Sequence, residues 1–197
     1  MPTIAYSIRN TLYLNITNRC SNNCSFCIKF NSRTFDENDL FLDTEPSFDE
    51  IMAAIAASSD FEEIVFCGYG ESLLRLDIVK QVAEAVKDNY FTPVRINTDG
   101  QANLVHGRNI IPELAGLVDC LSVSLNAPDA ETYMRWCHSP FGAAGFTGVC
   151  DFIRLAAAEI PEVIASIVLV PSLDVEACKA LALSLGASFR KRSYYQG

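Results

Sequence analysis

The feature that most limits what this chain can fold into is its regular alternation of two hydrophobic periods. Short β-rich runs at 12–16, 64–66, 94–98, 121–125, 163–170 and 188–194 are separated by helical patterns at 47–57, 78–87, 111–117, 130–136, 149–159 and 175–185. The runs are dense in β-branched and aromatic residues, with turn formers close behind several of them. Ser47 followed by Glu50 is a capping-box signature for the first helix, and Gly186 stops the last. Six strand-then-helix units imply parallel strands joined by right-handed crossovers, hence an α/β fold. A closed eight-stranded barrel takes roughly 250 residues, and this chain has 197. The expectation is therefore an open, (βα)6 partial TIM barrel forming one domain over 1–197.

In such folds the chemistry sits at the C-terminal ends of the strands. The strand–helix junctions here carry polar or glycine-rich clusters: "CGYGES" after the second strand, "NTDG" after the third, "SLNAPD" after the fourth and "VPS" after the fifth. After the first come Cys20, Cys24 and Cys27, spaced C-x3-C-x2-C. The polar loop 28–46 is long enough to be functional or mobile.

Composition decides how the cysteines are read. The N-terminus lacks the apolar core and cleavage site of a signal peptide, and no apolar run approaches the roughly 20 residues of a membrane span. A cytoplasmic location without membrane attachment follows as the expectation. There, eight cysteines point to metal ligation more than to disulfides. Cys67, Cys120, Cys137, Cys150 and Cys178 lack ligand spacing and read as small buried hydrophobes. A net charge of −9 argues against a phosphate-tracking surface.

Thiolates are soft ligands suited to zinc or iron–sulfur clusters. Structural zinc needs a fourth ligand, and the only histidines, His106 and His138, are remote in sequence. A [4Fe–4S] cluster normally takes four cysteines. Three local ligands thus suggest an iron with an open position. Around it, Gly68, Tyr69 and Gly70 read as backbone approaching a ligand closely, and Glu71 as an anionic partner for a cationic group. Ser124 and Asn126 share one side by period two and offer a hydroxyl and an amide; Asn97 and Thr98 do likewise one strand earlier. Together they outline a pocket for a small zwitterion.

The C-x3-C-x2-C triplet with Phe26 before its last cysteine resembles the radical S-adenosylmethionine superfamily. That resemblance implies a six-stranded partial barrel, a [4Fe–4S] cluster on Cys20, Cys24 and Cys27, and S-adenosylmethionine on the fourth iron; because the sequence ends at Gly197, just after the sixth strand, the expectation is a core with no C-terminal extension. "GYGE" looks like the motif that binds the methionine amino group, Asn97, Thr98, Ser124 and Asn126 match the methionine- and ribose-binding strands, and Leu169 lies where the adenine packs. The implied chemistry is reductive cleavage to methionine and a 5′-deoxyadenosyl radical, oxidoreductase or lyase in type, with flavodoxin or ferredoxin as electron donor. More narrowly, "YLNITNRCSNNCSFCIKF", "NLVHGRNIIPELAG", "SVSLNAPDAETY" and the final "R-x-R-x-Y" resemble the small radical enzymes named for their association with TatD, which makes a TatD-family protein a possible partner.

For substrate, Arg33, Arg190 and Arg192 are the residues expected to hold a small anionic molecule, because guanidinium forks grip carboxylates or phosphates. The 7-carboxy-7-deazaguanine synthases are the comparison for that reading. An activase that places a glycyl radical on a partner protein is the alternative. A non-catalytic iron–sulfur or zinc protein is the third.

Overall fold

The computed structural model describes residues 3–30 and 32–194. The expectation that the chain stops just past its last strand, at Gly197, falls outside them. One seven-stranded sheet runs β1 (Ala5–Ile8), β2 (Thr11–Leu14), β5 (Glu63–Phe66), β6 (Val94–Thr98), β7 (Cys120–Ser124), β8 (Glu162–Val168) and β9 (Ser188–Arg192), in that order. From β2 to β9 every pairing is parallel, as six strand–helix units require. Only β1 is antiparallel, closing a tight turn onto β2. It was not expected, because the two-residue turn Arg9–Asn10 places Arg9 rather than the Asn at φ 55°, a conformation unusual for Arg. β3 (Thr34–Phe35) and β4 (Asn38–Asp39) form a small hairpin inside the long loop.

Alternation along each strand sorts the side chains onto two unlike faces. Leu12, Leu14, Ile64, Phe66, Val94, Ile96, Leu121, Val123, Val163 and Ala165 join one buried cluster with the helices. That cluster takes Ile51 and Ile55 from α1 (Phe48–Ala56), Val79, Val82 and Val86 from α2 (Leu76–Tyr90), and Val149, Phe152 and Ile153 from α6 (Ala143–Glu159). The other face carries Glu63, Arg95, Asn97, Ser122, Ser124, Ser166, Arg190 and Arg192 among the apolar Val65, Ile164 and Val168. A sheet with helices on one face and this mixed surface on the other is an open barrel wall.

Two helices depart from the reading. α3 (Ala102–His106) is a short extra turn, and α6 begins at Ala143, six residues before the expected start at 149. The glycines of "FGAAGF" and Gly148 obscured it. Gly148 is there for packing: a Cβ would stand 2.5 Å from Leu104 Cδ1 of α3. α4 (Ile111–Leu114), α5 (Ala130–Cys137) and α7 (Val175–Ser184) lie within the expected segments to within a residue, and the Ser47–Glu50 capping box forms. No helix among the described residues is long and apolar enough to cross a membrane.

At the end of the barrel wall away from the cysteines, Arg95 grips Glu63 with two bonds, Nε to Oε1 at 3.0 Å and Nη2 to Oε2 at 2.7 Å. Arg95 is largely buried and Glu63 only partly so. Removing the acid leaves a buried cation unpaired, so Glu63→Ala should cost about 2–3 kcal/mol, below the 3–5 of a fully buried pair. Removing the acid of the exposed Arg135–Glu131 pair should cost under about 0.5 kcal/mol. Urea unfolding of the two variants makes the comparison.

Candidate functional site

The chain leaving β2 is held from several directions before it reaches the cysteines. Asn15 donates to Thr3 O at 2.9 Å and Leu40 O at 2.8 Å, while its Oδ1 accepts from Tyr69 N. Asn18 exchanges two bonds with the Leu42 backbone. Glu45 gathers Thr17, Arg19 and Arg75. The run "NITNR" is thus a clasp that brings together the β2 exit, the loop 40–46 and the turn after β5.

Gly68 and Gly70 form that turn, and the close approach they permit is to the chain itself. A Cβ on Gly70 would collide with Arg19 O and stand 2.6 Å from Thr17 O, and one on Gly68 would collide with Asn15. Glu71 N donates to Arg19 O at 2.7 Å, locking the turn beneath the cysteine loop. The expectation that these glycines face a ligand is corrected accordingly: they face residues 15–19.

Glu71 is buried, and its carboxylate already accepts from Leu73 N at 3.0 Å, Thr98 Oγ1 at 2.9 Å and Asp99 N at 2.6 Å. A carboxylate has about four acceptor positions, so about one remains for a cationic partner. Asp99, a residue the sequence reading passed over, carries the chain of contacts onward. It accepts from Ser21 Oγ and Gln101 N, and Cys20 Sγ lies 3.9 Å from its Oδ2. Burial pushes the Glu71 carboxyl up to about 8, with the charge of Asp99 adding to the effect. Burial also raises Asp99.

The C-terminus of α5 supports the other side of the cysteine loop. Asn23 N donates to Cys137 O at 3.1 Å and Ser25 N to Trp136 O at 2.9 Å. Behind them a buried chain runs from Tyr133 through Asn22 and Gln101 to Ser139. None of those four carries a motif, which is why the sequence did not single them out. Phe26 packs against the core, and the Cys27 N–H closes a turn onto Cys24 O at 3.0 Å.

Other expected site residues have partners of their own. Thr98 donates to Glu71 and accepts from Gly100 N. β7 ends at Ser124, so the period-two reading that set Asn126 beside it does not carry over. Asn126 takes φ 57°, its Oδ1 accepts from Val168 N at 3.1 Å, and its Nδ2 lies 4.0 Å from Cys137 Sγ. It seals the β7–β8 exit. Ser124 Oγ accepts from Arg192 Nη2 at 3.0 Å. Leu169 is exposed and its N–H donates to Arg192 O. Tyr69 donates to Lys29 O and meets Phe41 edge-on. Arg33 departs from expectation: it pairs with Asp39 at 3.2 Å and lies over the Phe41 ring, so its charge is already engaged in the loop hairpin.

The donor set is three thiols on one loop. Burial leads the rise in pKa at Cys20 and Cys27, and a hydrogen bond with Cys137 leads it at Cys24. Among the described residues no three His, Cys, Asp or Glu side chains converge on a point as a single ion demands. Thiols set apart on an eight-residue loop suit a cluster, whose irons occupy separate corners, better than a lone ion.

Fold and site together define an α/β protein whose parallel strands present a cysteine triplet at their C-terminal ends. A sequence model described as the radical SAM superfamily matches residues 14–184, and the chain belongs to that superfamily. Members of that superfamily in general use a [4Fe–4S] cluster and S-adenosylmethionine. No curated protein matches it in sequence. Among solved structures, Streptococcus suis SuiB bound to precursor peptide SuiA is 13% identical at a TM-score of 0.68, over 97% of this chain and 40% of SuiB. A radical SAM methyltransferase from Sphaerobacter thermophilus is 15% identical at 0.62, over 96% and 68% respectively. anSMEcpe with bound AdoMet is 12% identical at 0.61, over 93% and 51%. The chain therefore spans less than half of SuiB's length, and these likenesses speak to the fold.

Two outcomes follow. Gly70→Ala should destabilise the protein by about 3 kcal/mol or prevent folding, since backbone rather than a flexible side chain blocks the new Cβ. Folded Glu71 keeps its proton to about pH 8, against an ordinary value of 4.5. Its stabilising contribution is complete below the ordinary value and is lost as pH rises to about 8; Asp99 shifts in the same direction. Urea stability of the metal-free protein should fall across that window, and Glu71→Gln should flatten the fall. An unchanged slope in the variant would place the titration elsewhere.

Proposed function

We propose that this chain seats a [4Fe–4S] cluster on Cys20, Cys24 and Cys27, binds S-adenosylmethionine beside it, and acts on a small anionic substrate. The observation that carries the reading is the junction of the cysteine loop with the Glu71–Asp99 carboxylates at the C-terminal ends of β2, β5 and β6. When bound, the cluster and S-adenosylmethionine would supply one-electron cleavage of the sulfonium and a 5′-deoxyadenosyl radical that abstracts hydrogen.

The chain's own residues prepare the place. Two buried carboxyls, both raised by burial, form a recess in which an ammonium group would favour the ionised form; Glu71 retains about one acceptor position for it. Ser124 offers a hydroxyl near the rim, and exposed Leu169 an apolar surface for an adenine ring. Gln101, Asn22 and Tyr133 hold the loop from behind and exclude water. The small anionic substrate rests on the rim arginines Arg190 and Arg192; the reading calls for flavodoxin or ferredoxin as electron donor, and the resemblance to the TatD-associated radical enzymes adds a TatD-family protein as partner.

Anaerobic reconstitution should load about four irons per chain. Replacing Cys20, Cys24 or Cys27 with Ala should abolish loading, whereas Cys150→Ala and Cys178→Ala should retain it. With dithionite and S-adenosylmethionine the loaded protein should release 5′-deoxyadenosine slowly in the absence of substrate. Iron retained in Cys24→Ala, or no nucleoside product from fully loaded protein, refutes the assignment.

A further inference from the structure

The helix-free face of the sheet carries two features that the cysteine loop and the Glu71–Asp99 recess do not account for, one of them at Asn97, which the resemblance sets on a cofactor-binding strand. Arg190 and Arg192 both project onto this face, with Phe189 packed against the core on the other side. Arg192 reaches over β8 to bond Ser124 of β7. Arg192 is exposed along part of its side chain, and burial of its guanidinium lowers its pKa. Neither arginine joins an ion pair among the described residues. Two neighbouring cations on one face without an acid suit an anion, and a guanidinium fork fits a planar carboxylate best.

The second feature is Asn97. Its Oδ1 is the only buried side-chain N or O among the described residues that lacks a hydrogen-bond partner. Its amide lies against Cys67, a residue that also feels Arg192. Asn97 pairs with Ser122, two residues before Ser124 on the adjacent strand. One strand across and two residues along separates Asn97 from the Arg192–Ser124 contact by about 8 Å between Cα positions. A buried acceptor left empty costs about 1–3 kcal/mol unless something donates to it.

We infer that this face binds a small, flat carboxylate bearing an N–H or O–H close to the acid: the carboxylate on Arg190 and Arg192, the donor on Asn97 Oδ1. That the occupant is the substrate rests on the proposed function; the site itself rests on the side chains. It sits within electrostatic reach of Cys24, next to the cysteine loop, where a reacting molecule has to be.

The probe is pyrrole-2-carboxylate, which has both groups, compared with pyrrole-2-carboxamide and N-methylpyrrole-2-carboxylate. Binding is read by ligand-observed NMR on the full chain, as purified and after cluster loading with S-adenosylmethionine present. A fragment of this size should bind with a Kd of about 1 mM. The carboxamide should bind at least about tenfold more weakly, and Arg190→Gln with Arg192→Gln should erase that preference. The N-methyl analogue should lose about fivefold or more, a penalty that disappears in Asn97→Leu. Absence of saturable binding, or preferences that survive in the variants, overturns the inference. So does an Arg192→Gln protein whose S-adenosylmethionine affinity falls while probe affinity stays, because the guanidinium then serves the cofactor. Iron content and 5′-deoxyadenosine release are measured on the same samples. Cleavage without probe binding sinks this inference alone, and probe discrimination without cleavage sinks the functional reading while supporting the site.

Discussion

The buried carboxylate of Glu71 is the constraint on which the arrangement around it depends. It accepts from the backbone of the following turn, from the hydroxyl of Thr98 and from the backbone of Asp99, so one side chain fixes the ends of two strands relative to each other. Its own N–H is anchored on Arg19 O, one residue before Cys20. Asp99 then reaches Ser21 and Cys20. The position of the cysteine loop is thereby tied to β5 and β6 through buried hydrogen bonds, each worth roughly 0.5–1.5 kcal/mol and costing more to leave unmade.

Much of this could be read before the structure, and what could not has identifiable causes. The parallel order was legible because a buried parallel sheet needs apolar strands and helical crossovers, and both periods are strong here. The cysteine triplet was legible because ligand spacing is local. Glu71 was legible as a residue of the strand-end rim, but its bonds to Thr98 and Asp99 bridge 27 and 28 residues of sequence, and no pattern encodes them. Asn126 misled because strand periodicity holds only while the strand lasts, and β7 stops two residues short of it. The glycines of the "GYG" turn were recognised as permitting close approach. Which surface approaches is a tertiary fact, decided by Asn15, Thr17 and Arg19.

The two faces of the sheet divide the labour of the molecule. One is apolar and bears the helices, which is where burial stabilises the fold. The other mixes Val65, Ile164 and Val168 with serines, an asparagine and three arginines, of which only Arg95 has an acid among the described residues. A fold selected for stability alone would extend the Val and Ile to the rim, as closed barrels do. The polar groups near the rim, together with the orphaned acceptor at Asn97, are an energetic cost that a ligand would offset.

Charge balance around the cysteines bears on why the loop needs so much support. Two buried carboxyls, Glu71 and Asp99, lie against Cys20, and Lys29 is the cation that acts on Cys24 and Cys27. Thiolates there would add negative charge to a region that already resists it, so the metal-free thiols hold their protons. A bound cluster would bring positive charge into that field and favour the thiolates. The clasp at Asn15, Asn18 and Glu45 and the buried chain through Gln101 hold the loop from groups outside that field. These neutral amides and the rim ion pair add to the Glu71 and Asp99 bonds, and do not depend on the protonation state of the cysteines.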